Sequence, residues 1–291
     1  MKDLDKIIEY YDRGGIREVG RAITKYILTK SKISTKSTKS IYNNIAGRYY
    51  RKVLPHRGTN RFDCPLDPIK LIYVDPAEIN KHTRRKYPHW NEKRNDVATV
   101  VDENWEIYNR QPIESGYEEE YRNINKIYQF DKKFNNSIFY KSLYNHFVED
   151  VEWNQTELIQ IVLDLIDNQI YVWQQCESQK EVSMQCDHLD RLYKKIDEDG
   201  YQTQYQIGSC GDILECYIEE VCVDIGPDGD FYLVDGRHRL AIARILGLEK
   251  IPVAVLARDK EWMKRRELEW NKEESIDHPD IQPYSIGFYP N

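Results

Sequence analysis

No run of apolar residues in this 291-residue chain approaches the roughly 18 that a bilayer span requires, and its first residues hold no apolar signal-peptide core. The chain is therefore expected in the cytoplasm. Cys-x-x-Cys pairs are missing as well, and the six cysteines, Cys64, Cys176, Cys186, Cys210, Cys216 and Cys222, are too evenly spread for a zinc ribbon. In a reducing compartment they are expected to be free thiols, several of them small hydrophobes in a core. That pattern argues against a metal site or a catalytic thiol built on them. Nothing recurs at solenoid periods, so a repeat architecture is excluded too.

What is present fits a globular chain. A 40% hydrophobic and 31% charged composition over this length suits one or two domains with a substantial core. Tyrosine is abundant, at 22, and such rings can line helix faces while their hydroxyls stay wet. The net charge of −7 conceals an asymmetry: residues 1–63 hold fifteen Lys and Arg against six Asp and Glu, so that segment is +9 and the rest is −16. An acidic body argues against wrapping a nucleic acid, whereas a basic N-terminal arm can touch an anionic surface.

That arm, residues 1–60, reads as two helical stripes and a linker. Leu4, Ile7, Ile8 and Tyr11 form the first stripe, Gly14 and Gly15 break it, and Ile16, Val19, Ile23, Tyr26 and Ile27 form the second. Arg17, Arg21 and Lys25 lie on the opposite face. Such a helix can dock on a membrane or a partner protein, or pack on its own domain. Thr29 to Ser40, rich in Lys, Ser and Thr, reads as a flexible linker or surface loop.

The densest signal lies at residues 231–256. Phe231 to Val234 is a short strand pattern, Asp235-Gly236 a turn, Arg237 to Leu246 a run of helix formers closed by Gly247, and Ile251 to Leu256 a second strand. Upstream, Glu219 to Ile225 is a strand that Gly226-Pro-Asp-Gly229 turns back as a hairpin. Arg237, His238 and Arg239 thus fall in the first turn of a helix, where free N–H groups and the dipole already make the potential positive. A bound phosphate would reconcile those charges, with Gly236 allowing close backbone approach and the Arg forks gripping oxygen. Alternatively, Asp235 caps the helix and neutralises its neighbours on a solvated face.

The segment from about Glu219 to Trp262 resembles the core of the ParB/sulfiredoxin superfamily. Its Gly-x-His-Arg signature matches Gly236, His238 and Arg239, and Leu66 to Ile79 is similar to that family's opening strand. The sulfiredoxin pattern carries a catalytic cysteine where this chain has Arg237, so sulfinic acid reduction is not implied. ParB proteins, which bind CTP and DNA, and free serine kinases remain compatible. The resemblance implies a mixed α/β (α+β) fold with a nucleotide, ATP/ADP or CTP with Mg²⁺, held by Gly236, Arg237, His238 and Arg239. It also implies phosphoryl transfer to a small hydroxyl-bearing acceptor, with Asp235, Asp75 and Glu78 as candidate carboxylates, the last two carried beside the site by the end of the first strand. A nucleotide-switched DNA-binding protein and an inert scaffold are the alternatives.

Around this core the chain divides into residues 61–130 as the first core part, 131–212 as a helical insertion, 213–262 as the second core part and 263–291 as a helix and tail. Within the insertion, Asn154 and Glu157 match a capping box, followed by the apolar face Leu158, Ile161, Val162 and Leu165. Leu189, Leu192, Tyr193 and Ile196 repeat that pattern up to Gly200. The insertion is expected to serve as a lid or substrate-selecting element. His146 and His188 fall in it as structural or surface histidines. Asn80 to Trp90 interleaves basic and aromatic residues that could grip a phosphorylated ligand or form a solvated loop. The tail carries Tyr284 and Phe288.

Overall fold

The computed structural model describes residues 35–83, 85–86, 93–102, 116–208 and 210–281, without the side chains of residues 35–42. The expected stripes of residues 4–27, much of the stretch from Asn80 to Trp90, and Tyr284 and Phe288 lie outside them.

In chain order the elements are α1 (Thr35–Val53), β1 (Ile72–Val74), β2 (Lys81–His82), α2 (Lys93–Asp96), β3 (Thr99–Val101), α3 (Glu118–Tyr128), α4 (Ile138–Phe147) and α5 (Glu157–Asp167). There follow α6 (Gln179–Asp199), α7 (Gln204–Ile207), α8 (Ile213–Ile218), β4 (Val221–Ile225), β5 (Phe231–Asp235), α9 (Arg237–Ile245), β6 (Ile251–Asp259) and α10 (Lys260–Trp270). The chain is an α+β protein with one mixed sheet in the order β1-β6-β4-β5-β2, β3 extending the outer edge of β6.

Alternation along the strands divides the apolar residues between two covered faces. Val221, Val223, Phe231, Leu233, Ile251, Val253 and Val255 point to a core shared with Phe139, Leu158, Trp173 and Trp262. Cys222, Val234, Ala254 and Leu256 point to the other, against Tyr50, Leu54, Val97 and Tyr217. With both faces covered, β6 is buried at all nine positions, which is why Ile251 to Leu256 reads as an unbroken apolar run. The helical insertion shares the first of these cores.

Several local expectations are corrected. The tract read as a linker is helical from Thr35 onward, because α1 continues to Val53 and buries Ala46 and Tyr50 against the sheet. Asn154 caps nothing: Trp153–Gln155 is a 3₁₀ turn, and α5 starts after Thr156, whose hydroxyl donates to the Trp153 carbonyl at 2.7 Å. Ser142 of α4 supplies the missing acceptor instead, taking the Leu158 N–H at 3.0 Å. Cys210 and Cys216 are not free thiols but a disulfide, since the turn into α8 brings their Cα atoms to 5.3 Å. The other four cysteines are free and buried.

The segment after α10 is fastened by charge. Asp280 accepts from Arg258 Nη2 at 2.6 Å, Arg266 Nη1 at 2.7 Å and Trp262 Nε1 at 3.0 Å, and its side chain is 2% exposed. Burial pushes the Asp280 carboxyl up, but Arg258 and Arg266 outweigh it and hold it well below the usual carboxylate range. A group so depressed stabilises the fold above its unfolded value near pH 4 and loses that contribution as pH falls further. Asp280→Ala leaves two buried guanidinium groups unmatched and is expected to cost about 3–5 kcal/mol in urea denaturation at pH 7. A cost under about 1 kcal/mol, of the size of an exposed pair, would refute the assignment.

Candidate functional site

The turn at Asp235-Gly236 is set by close backbone crossing. Gly236 adopts a left-handed φ of 87°, and a Cβ there would meet the Val221 Cα at 2.7 Å, so only glycine fits where β5 passes the start of β4. Gly236 is also the N-cap of α9 and offers no side chain to its N–H groups. Asp235, read from sequence as a possible cap, is the last residue of β5, and its Oδ1 accepts the Gly236 N–H at 2.7 Å.

Each charged side chain at the turn meets a defined neighbour. Lys93 of α2 donates to Asp235 Oδ2 at 2.8 Å and to the Ile218 carbonyl at 3.0 Å. Burial pushes the Asp235 carboxyl up, yet Lys93 and Arg237 outweigh it and hold Asp235 below its ordinary value. Arg239 donates through Nη1 to Glu220 Oε2 at 2.8 Å and through Nη2 to the Glu219 carbonyl. Glu220 is 1% exposed at its side chain and also accepts the Gln204 N–H at 2.6 Å. Arg237 lies with its guanidinium carbon 3.9 Å from the centre of the Tyr128 ring, and its Nε is buried with no hydrogen-bond partner.

His238 faces the helical layer. The Trp173 indole N–H donates to its Nε2 at 3.4 Å, and the Phe139 ring meets it edge-on at 5.2 Å. Burial, reinforced by the Arg237 charge, pulls its pKa down to about 3. The ring is therefore neutral and carries its proton on Nδ1.

Asp75 and Glu78 do not join Asp235. Asp75 directly follows β1 and caps the short turn Pro76–Glu78 by accepting the Ala77 N–H at 2.7 Å, and the cations these carboxylates sense are Arg244 and Lys250. Arg244 in turn donates to Asn80 Oδ1 at 2.8 Å. These groups sit at the far end of α9, some seven residues or about 10 Å of helix from Arg237. The physical reason is lateral: β1 is separated from β5 by β6 and β4.

Lys93 and Glu220 are site residues that the sequence analysis did not single out. The acidic pair Glu219-Glu220 directly before the apolar β4 was a visible signal for the second; for Lys93 no local pattern stands out. Among the described residues no group of His, Cys, Asp and Glu is arranged to hold a metal ion.

No protein-family model, curated protein or solved structure matches this chain.

The turn is thus a junction of matched charges with one cation, Arg237, whose Nε lacks a partner. Arg239→Ala strands Glu220, whose carboxyl burial already raises, and is expected to cost about 3 kcal/mol. His238 stabilises the fold when neutral. From its unfolded value near pH 6.5 down toward pH 4 the unfolded chain binds one more proton, so stability falls by about 1.4 kcal/mol per pH unit. His238→Gln should remove that share of the slope in denaturant titrations at pH 6.5 and 4.5. An unchanged slope would show that His238 is solvated.

Proposed function

We propose that the chain binds a nucleotide through its phosphates at the turn between β5 and α9, as a ParB/sulfiredoxin-like protein. The observation that carries this reading is the start of α9. Its first turn has no side-chain cap, and Arg237 offers a buried Nε without a hydrogen-bond partner beside it. Backbone N–H groups plus a guanidinium N–H that lacks an acceptor are the ordinary means of holding phosphate oxygens. The likeness of residues 219–262 to the superfamily core supports the same reading, as does the order strand, glycine turn, helix, strand.

In this reading the roles divide. Arg237 and the N–H groups contact phosphate, Arg239 fixes the end of α8 against the turn through Glu220, and His238 seats the helical layer through Trp173. Asp235 is held ionised by Lys93, which suits it to orient an acceptor hydroxyl or a nucleotide-bound Mg²⁺ more than to abstract a proton. Phosphoryl transfer is the reaction class that follows if an acceptor reaches that carboxylate.

A second reading draws on the matched charges. Since Lys93, Asp235, Arg239 and Glu220 already satisfy one another, the turn also serves as a fastening between sheet and helices, and an inert scaffold would need no more. Calorimetry with MgATP, MgADP and MgCTP separates the two. Arg237→Ala is expected to weaken nucleotide binding about tenfold or more, while Arg237→Lys, which keeps the charge, is expected to retain part of it. Absence of binding by the unaltered chain, or binding indifferent to Arg237→Ala, would leave only the scaffold reading.

A further inference from the structure

The Cys210–Cys216 disulfide takes no part in holding a phosphate, yet it lies on the segment that carries the counter-ion of the turn. It ties the stretch before α8 to the middle of that helix, six positions on. α8 has other anchors. Ile213, Leu214 and Tyr217 are buried against the sheet, the Tyr217 hydroxyl donates to the Val255 carbonyl at 3.0 Å, and Asp212 caps the helix by accepting the Glu215 N–H at 2.9 Å. The restraint that the disulfide adds therefore falls on its other side, on α7. None of the four residues of α7 is buried, and so short a helix is marginal in water without outside contacts. Its first N–H, from Gln204, donates to Glu220 Oε1 at 2.6 Å, while Glu220 Oε2 pairs with Arg239.

Three features make this bond one that can open within the folded chain. A bridge between residues six apart closes a small loop, so it limits the unfolded chain less than a long-range bridge and its loss is felt locally. Exposed glycines, Gly208 and Gly211, flank Cys210, and a side chain at Gly208 would meet nothing within 4 Å, so the segment has room to move. Cys222, just beyond α8, donates its thiol to the Ile218 carbonyl at 3.1 Å, and burial pushes that thiol up. It supplies no thiolate to compete for either sulfur, which leaves a two-cysteine centre.

We propose that Cys210–Cys216 is a thiol–disulfide exchange site, opened by a dithiol reductant and closed by a disulfide oxidant, that sets whether α7 is clamped on Glu220. In opening, a thiolate of the reductant attacks one Sγ, the Sγ–Sγ bond breaks, and the displaced sulfur takes up a proton. The second thiol of the reductant then attacks the mixed disulfide, releases the other cysteine as a thiol and leaves the reductant as its own disulfide. Two electrons and two protons have passed to the pair. With the pair open, the Gln204 N–H is free to leave Glu220, and the buried carboxylate that balances Arg239 loses a donor. The inference does not rest on nucleotide binding, since it concerns only the segment beside the turn.

The test uses the full chain without denaturant, with dithiothreitol as the reductant and oxidised glutathione as the oxidant. Alkylation after quenching and unfolding, read by mass spectrometry, is expected to find four free cysteines in the oxidised chain and six in the reduced one. Hydrogen exchange over residues 203–208 should be at least about tenfold faster in the reduced chain, with residues 251–257 unchanged. Cys210→Ser and Cys216→Ser, made separately, should each exchange at the fast rate under either reagent. Should either variant fail to fold, the comparison of the two redox forms of the unaltered chain still decides. The proposal is overturned if all six cysteines alkylate after oxidation, if dithiothreitol opens the pair only when the chain unfolds, or if residues 203–208 exchange alike in both forms.

Discussion

A sheet covered on both faces leaves its charges no route to water, and that constraint organises this protein. β4 and β6 are buried from end to end, yet they carry Asp224, Arg258 and Asp259. Asp224, fully buried, is met by Arg85 through Nε at 2.7 Å and Nη2 at 3.1 Å, by the Thr83 hydroxyl and by the Ala257 N–H at 3.1 Å. Arg258 is met by Asp280. A lone ion at either place would cost several kcal/mol, so each segment that brings a counter-ion is held to the sheet as firmly as an apolar contact would hold it. In this way Thr83 and Arg85, and the segment 278–281, become part of its packing.

The same logic governs the turn after β5. α9 is buried at four consecutive positions, Leu240 to Ala243, so it has no solvated side at its middle. The cations of its first turn therefore emerge into an interior already enclosed by α2, α3, the loop before α6 and the end of α8. Each meets a different one of these: Arg237 meets Tyr128, His238 meets Trp173, Arg239 meets Glu220, and Asp235 meets Lys93. A charged segment that looks like a ligand site is for this reason also where four pieces of the chain are joined, and the two roles are distinguished only by which groups remain without a partner.

How much of this was legible follows from sequence distance. The order strand, turn, helix, strand over residues 231–256 could be read because each step is local, and so could the Pro-Asp-Gly turn at 226–229 and the Gly200 end of α6. The charge partners could not be read. Lys93 lies 142 positions from Asp235 and Arg85 lies 139 from Asp224, and nothing local to either end marks the match. Asp75 and Glu78 illustrate the reverse error: a strand end is easy to find, but the strand order that separates β1 from β5 by two others is a global property. The run Leu-Ala-Ile-Ala did carry an unused signal. Four apolar residues in a row cover every side of a helix, and a helix buried all round cannot keep its flanking cations in water.

That signal bears on how basic turns should be weighed. A cation at a helix N-terminus opposes the dipole, and the opposition can be relieved by a bound anion or by a carboxylate of the protein itself. Counting positive residues cannot separate these cases, because both require the same side chains. What separates them is the balance of buried groups after the fold has closed. Here Lys93 and Arg239 are balanced by Asp235 and Glu220, whereas Arg237 rests on an aromatic ring with its Nε unanswered. Tyr128 also shares a side-chain hydrogen bond with Arg237, so the capacity left unused in this enclosed site is that of Nε alone. Unused capacity of this kind is costly to keep, and the proposal that the turn takes up a phosphate rests on it.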